Sequence, residues 1–207
     1  MNVYDQLRKS MYEDAEQEQL LHTVPVRRST TPLKHAEIAT DGSCIGNPGT
    51  GGWACVMRLD NCFREMYGCE AKTTNNRMEL MAVIKALNAL KEPCAVTVFT
   101  DSQYVQRGIT EWLSAWKERN WKTASKKPVQ NQDLWRALDK ARSRPRVDWK
   151  WVRGRADNCD NSRCDELAQR AAREQIASTA CPSAFRVTAL STGDPTSVSA
   201  QENLEGF

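Results

Sequence analysis

Histidine is nearly absent from this 207-residue chain, which has only His22 and His35, and its eight cysteines include no Cys-x-x-Cys pair. A Cys/His zinc site therefore lacks its usual ligands. No run approaches eighteen apolar residues, so no segment is a candidate membrane span. The first residues, MNVYDQLRKSMYEDAEQEQ, have no apolar stretch and carry five acids by Glu18, unlike a secretory signal or a mitochondrial transit peptide. The cysteines (Cys44, Cys55, Cys62, Cys69, Cys94, Cys159, Cys164 and Cys181) read as reduced thiols used as small hydrophobes, which places the chain in a reducing, cytoplasmic compartment.

Charge of one sign is also scarce. Lys and Arg number 29 against 26 Asp and Glu, for a net charge of +3. The balance is uneven along the chain, however, with residues 34–175 at +6 and both ends weakly acidic. A modestly basic middle suits a polyanionic partner without proving one. Seven Trp and well-spaced Val, Ile and Leu call for a core and exclude collagen-like, coiled-coil and fully disordered classes.

Residues 1–33 read as an N-terminal extension, partly disordered, ending in the linker-like VPVRRSTTP. Residues 177–207, rich in Ser, Thr and Pro, read as a disordered tail. The fold is expected within 34–176. There, AEIAT (36–40) is a short strand entering the turn DGSCIGNPGTGG, and WACVMRL (53–59) and FREMYGCE (63–70) form a hairpin. MELMAVIKALNAL (78–90) puts Leu80, Val83, Ile84, Leu87 and Leu90 on one helical face. AVTVFT (95–100) is a buried strand. Helices follow from Ser102 to about Asn120 and from Asn131 to Arg142, then the strand VDWKWV (147–152), then a helix from near Asn161 past Ala172. The pattern is α/β, a mixed sheet covered by helices.

Two strands end in similar words, Ile38-Ala39-Thr40-Asp41-Gly42-Ser43 and Val98-Phe99-Thr100-Asp101-Ser102. A carboxylate at the end of a buried strand costs several kcal/mol unless it is paired or metal-bound. Open α/β sheets bind ligands beyond the carboxyl ends of their strands. Taken singly, either Asp serves equally well as a turn or helix cap. Glu79 and Asp165 sit near the starts of their helices, where the helix dipole alone favours an acid. Together the four can hold hard divalent cations, Mg²⁺ above all where phosphate is the substrate.

At this point the sequence resembles type 1 ribonuclease H of the bacterial kind, over about residues 36–174. The stretches TDGSCIGNPGTGGW, TTNNRMELMAVIKAL, TDSQYVQRGITEWL, WKTASKKPVQNQDLW and RCDELA carry the likeness. The resemblance implies a ribonuclease H-like, five-stranded mixed sheet with strands one to three antiparallel, flanked by helices. It implies an endoribonuclease that hydrolyses the RNA strand of RNA–DNA hybrids with two Mg²⁺ ions, Mn²⁺ being a possible substitute. Asp41, Glu79, Asp101 and Asp165 are then the catalytic, metal-binding carboxylates. Asn47, Asn75, Asn76 and Gln103 match positions that contact the hybrid, and Thr74 matches a DNA-phosphate pocket. A monomer is expected, with no membrane partner.

Residues 107–127 carry Arg107, Lys117, Arg119, Lys122, Lys126 and Lys127 against Glu111 and Glu118, with Trp112, Trp116 and Trp121 interleaved. Such a segment can grip a phosphate backbone, or it can be a helix whose Trp pack inward and whose lysines are solvated. The resemblance makes it the basic Trp/Lys protrusion that holds the DNA strand. One position departs from the family: the glycine after the last strand is followed by Arg155, where the bacterial pattern has a histidine. Arginine stays protonated and cannot serve as a general base. The alternative reading is therefore a hybrid-binding module with strongly reduced catalysis, and a third is a DNA-cutting or integrating relative of the same superfamily.

Overall fold

A computed structural model describes residues 33–60, 62–154, 158–177 and 186–191. Arg155 lies outside the described residues, as do the extension before Leu33 and most of the tail. Three antiparallel strands come first: β1 (His35–Ile45), β2 (Gly49–Leu59) and β3 (Cys62–Thr73). Helix α1 (Asn75–Asn88) leads to β4 (Ala95–Thr100). A helical stretch follows, formed by α2 (Gln103–Arg107), a π-helical turn (Gly108–Trp112) and α3 (Leu113–Glu118). Helix α4 (Gln132–Ala141), β5 (Arg146–Trp151), α5 (Cys159–Ala177) and β6 (Arg186–Ser191) complete the order.

The sheet order is β5-β4-β1-β2-β3-β6, with β4 parallel to both β1 and β5. The five expected strands form the body of the sheet. The sixth is new: Arg186–Ser191 pairs antiparallel with β3, from Cys62 opposite Ser191 to Tyr67 opposite Arg186. The tail was thus expected to be disordered, yet six of its residues are a strand. The run Val187-Thr188-Ala189-Leu190 has β-branched residues at two of four places and meets an open sheet edge, so pairing outweighs its polar surroundings.

Alternation of side chains makes two cores. Ile38, Trp53, Cys55, Met57 and Met66 face α1 and α4, while Ala39, Ala54, Val56 and Tyr67 face α5. On α1 the expected face is buried, and Met78, Ala82 and Ala86 are buried too, because this helix lies between the sheet and α4. Truncating a fully buried residue such as Leu80 to Ala costs about 2–5 kcal/mol.

The first turn is shorter than the sequence suggests, since β1 continues to Ile45 and β2 begins at Gly49. The glycines expected to form that turn are partly strand residues that make room. A Cβ on Gly52 would lie 2.1 Å from the Ala168 carbonyl oxygen, and one on Gly51 would lie 2.4 Å from Thr73 Cγ2. Glycine at 52, with Ala168, Ala171 and Ala172 opposite, therefore lets α5 sit directly on β2.

Candidate active site

The first carboxylate sits inside a strand, not at its end. Asp41 pairs with Ala54 in the β1–β2 ladder, one residue beyond the last parallel pair, Thr40 with Thr100. β4 stops there, so Asp41 lines the edge where the parallel sheet opens and Asp101 begins the segment leaving β4. Asp41 is 8% exposed and accepts a 2.7 Å hydrogen bond from the Gly42 N–H. Burial pushes its pKa from 3.8 to about 8, helped by the negative charges of Asp101, Asp165 and Glu79, with the Gly42 N–H opposing. That the other three acids all act on Asp41 shows that the fold has gathered the four into one electrostatic cluster.

Glu79 lies in the second turn of α1, because the helix starts at Asn75, so dipole capping does not explain it. What places it is Gly42. A Cβ there would lie 2.3 Å from the Glu79 backbone nitrogen, so the helix crosses β1 at the residue after Asp41. The Glu79 carboxylate accepts from Asn75 Nδ2 at 2.8 Å and from the Ser102 hydroxyl. Burial raises its pKa to about 7, Ser102 lowers it and Asp101 adds to the rise. Ser102 also caps α2, accepting from the Val105 N–H at 3.2 Å.

Asp101 is held at both ends of its short segment. Its carbonyl accepts from Trp151 Nε1 at 3.1 Å, and its carboxylate abuts Gly154, where a Cβ would lie 2.7 Å from Oδ2. Asp165 is in the second turn of α5, whose start is capped by Asn158: its Oδ1 accepts from the Asp160 and Asn161 N–H groups. Asn161, 1% exposed, donates to the Thr40 carbonyl at 3.1 Å and ties this turn to the strand end beside Asp41. The Asp165 carboxylate accepts from Gln169 Nε2 at 2.7 Å.

Among the described residues no three His, Cys, Asp or Glu side chains converge tightly enough to cage an ion as they stand. The printed contacts give the reason: Asp41, Glu79 and Asp165 each rest on a donor of their own. The donor set nevertheless fits a hard divalent cation. It is all carboxylate oxygen, and two members are pushed up in pKa, so a cation relieves their repulsion.

Around this cluster, Asn47, Thr74, Asn75 and Asn76 meet where α1 begins. Thr74 is its N-cap residue, and Asn47 Oδ1 accepts from the Asn75 N–H at 3.2 Å. Gln103 is exposed at the start of α2. The protrusion is more internally bonded than its composition suggests. Trp112 stacks with Tyr104 and Trp116, and Trp116 meets the fully buried Trp135 edge-on at 5.4 Å. Trp112 and Trp116 thus anchor the protrusion to α4. Lys117 is bound to Asp139 at 2.7 Å, which orients it along α4. Lys122, Lys126 and Lys127 are exposed on the loop beyond, held by Thr123 N–H to the Lys127 carbonyl at 2.8 Å and Val129 N–H to the Trp121 carbonyl at 3.1 Å. Sequence reading passed over Ser102, Asn161 and Gln169; only their spacing from the acids (Asn161 and Gln169 one helical turn from Asp165) signals them.

Fold and site together define an α/β protein of the ribonuclease H-like class, with acids gathered where parallel strands open. The RNase H family matches residues 34–173. A Ribonuclease H of Solibacter usitatus is 54% identical over 143 residues, covering 69% of this chain and 98% of that protein. One of Aromatoleum aromaticum is 60% identical over 134 residues, covering 65% and 88%. The crystal structure of LC9-RNase H1, a type 1 RNase H with the type 2 active-site motif, superposes with a TM-score of 0.64 at 32% identity, covering 71% of this chain and 76% of that one. The chain belongs to the ribonuclease H family, whose members are metal-dependent hydrolases.

Proposed function

We propose that this chain is an endoribonuclease that cuts the RNA strand of RNA–DNA hybrids, with Asp41, Glu79, Asp101 and Asp165 as its metal-holding carboxylates. The mutual charge effect of the other three acids on the buried Asp41 is the observation that carries the assignment. When bound, a pair of Mg²⁺ ions, or Mn²⁺ in their place, supplies Lewis-acid help for in-line displacement at the scissile phosphate. The chain's own residues do the rest. Ser102 and Asn75 hold Glu79, and Trp151 and Gly154 hold Asp101.

The asparagines suit a ribose edge, because a 2′-hydroxyl is both donor and acceptor. Asn75 gives an N–H to Glu79, which leaves its carbonyl oxygen to accept from substrate. Asn47, Asn76 and Gln103 extend that surface, and Thr74 offers a hydroxyl that makes no cap bond. Lys122, Lys126 and Lys127 take the DNA phosphates, with Lys117, Trp112 and Trp116 as their support. Seven free cysteines among the described residues are in keeping with a cytoplasmic protein, and we read it as a monomer.

The test is cleavage in Mg²⁺ of an RNA–DNA hybrid beside an RNA duplex and a DNA duplex. Wild type cuts only the hybrid's RNA strand, and Asp101→Asn binds the hybrid but does not cut it. Near-normal turnover by Asp101→Asn refutes the carboxylate assignment, and hybrid binding without cleavage by wild type supports the binding-module reading instead.

A further inference from the structure

Along α5 the side chains at 165, 169 and 173 are joined in series. Arg173 Nη2 donates to Gln169 Oε1 at 2.9 Å, and Gln169 Nε2 donates to Asp165 Oδ1 at 2.7 Å. The three residues are one helical turn apart on a single face and line a groove of about 470 Å³ with Ser162 and Glu166. The two ends of a glutamine amide are nearly alike in shape and opposite in hydrogen bonding. Arg173 carries only donors, so it accepts only the oxygen end and turns the NH₂ end toward the carboxylate. A chain of hydrogen bonds polarised in this sense leaves Asp165 with one oxygen engaged and its rotamer fixed.

We propose that Gln169 and Arg173 are positioning residues for Asp165, setting how tightly the site takes a divalent cation. The inference rests on the reading of Asp165 as a metal ligand. Groups that orient a ligating carboxylate are typically worth 10–100-fold in metal affinity. Gln169→Leu keeps the volume and removes the donor. Gln169→Glu lets Arg173 pair with the new carboxylate but aims a second negative oxygen at Asp165. Arg173→Ala leaves the glutamine free to turn its oxygen toward Asp165 for part of the time.

The measurement is Mn²⁺ affinity without substrate, by calorimetry and by the loss of the free-ion electron paramagnetic resonance signal. It is paired with the Mg²⁺ dependence of hybrid cleavage and the melting temperature in EDTA. We expect Gln169→Leu to raise the Mn²⁺ Kd about 10-fold and to move the Mg²⁺ midpoint of cleavage by a similar factor. kcat at saturating Mg²⁺, the KM for hybrid and the metal-free melting temperature should stay near wild type. Arg173→Ala, at an exposed position, should shift the Kd in the same direction by a smaller factor. A purely structural role would lower the EDTA melting temperature and leave Kd alone, and that result overturns the proposal. Asp165→Asn separates the two levels of inference. If it weakens Mn²⁺ binding and Gln169→Leu does not, the positioning role fails while the ligand assignment stands. If Asp165→Asn leaves the Kd unchanged, both fall.

Discussion

Replacing Asp41 with asparagine should stabilise the metal-free protein while destroying its chemistry. The carboxyl is 8% exposed, and burial among three other acids pushes its pKa from 3.8 to about 8. At pH 7 the unfolded chain therefore carries this group ionised, whereas the folded chain holds it largely protonated. The unfolded state binds fewer protons, so stability falls as pH rises from about 4 to about 8 and levels off above. Neutral pH lies roughly three units above the ordinary value, and each unit is worth about 1.4 kcal/mol, so the penalty has a ceiling of roughly 4 kcal/mol. Water entry and rotation of the carboxylates relieve part of it, which leaves an expected gain of about 1–3 kcal/mol for Asp41→Asn, or several degrees of melting temperature. Asparagine keeps the oxygen that accepts from the Gly42 N–H, so no buried donor is orphaned. The assay is thermal melting in EDTA at pH 5 and pH 8.5, then with excess Mg²⁺. The gap between variant and wild type should widen with pH, and Mg²⁺ should close it by raising wild type alone. A variant less stable than wild type, or a gap independent of pH, refutes the argument.

Alanine at Lys122, Lys126 and Lys127 together should flatten the salt dependence of hybrid binding by roughly 2–3 in log–log slope, as about 0.9 is lost per phosphate; an unchanged slope makes them a solvated face. Lys117→Ala should leave that slope alone and instead destabilise slightly, since its partner is Asp139; a changed slope means that Lys117 reaches substrate. Gly42→Ala forces α1 off β1, because its Cβ would lie 2.3 Å from the Glu79 nitrogen, and should cost about 1–3 kcal/mol in denaturant melts together with most of the activity. Arg155→His should raise kcat between pH 6 and 9, by well under the ~10²–10⁴-fold typical of acid–base assistance, and a pH–rate profile no faster than wild type at any point would show that no base is missing.

The strands and helices of the sheet were legible because their periods are clean, β-branched alternation in 95–100 and a 3.6-residue stripe in 78–90. The four acids were legible through the words around them more than through their chemistry, since an Asp after a strand caps as readily as it binds. What escaped was set by neighbours distant in sequence. Gly51 and Gly52 read locally as a turn, and only the approach of α1 and α5 makes them strand residues. The inward packing of Trp112 and Trp116 depends on Trp135, some twenty residues away, and the strand at 186–191 depends on β3 having an open edge. Lys117 looked free because Asp139 lies a helix further on.

The π-helical turn at Gly108–Trp112 carries a consequence for how the protrusion is aimed. In an α-helix each residue advances the side chains by about 100°. A wide turn accommodates one residue more than an α-turn, so it resets the phase of everything that follows it. Gly108 allows the reset, because the Trp135 ring occupies the space where its Cβ would be. Deleting a single residue between 108 and 112 would let the two helices fuse into one regular rod. It would also swing α3 by about 100°, taking Lys117 from Asp139 and pointing the lysine loop at a different face of the molecule. The direction of the basic arm is therefore encoded as a count of residues, and along this stretch the chain should tolerate substitution far more readily than a change of length.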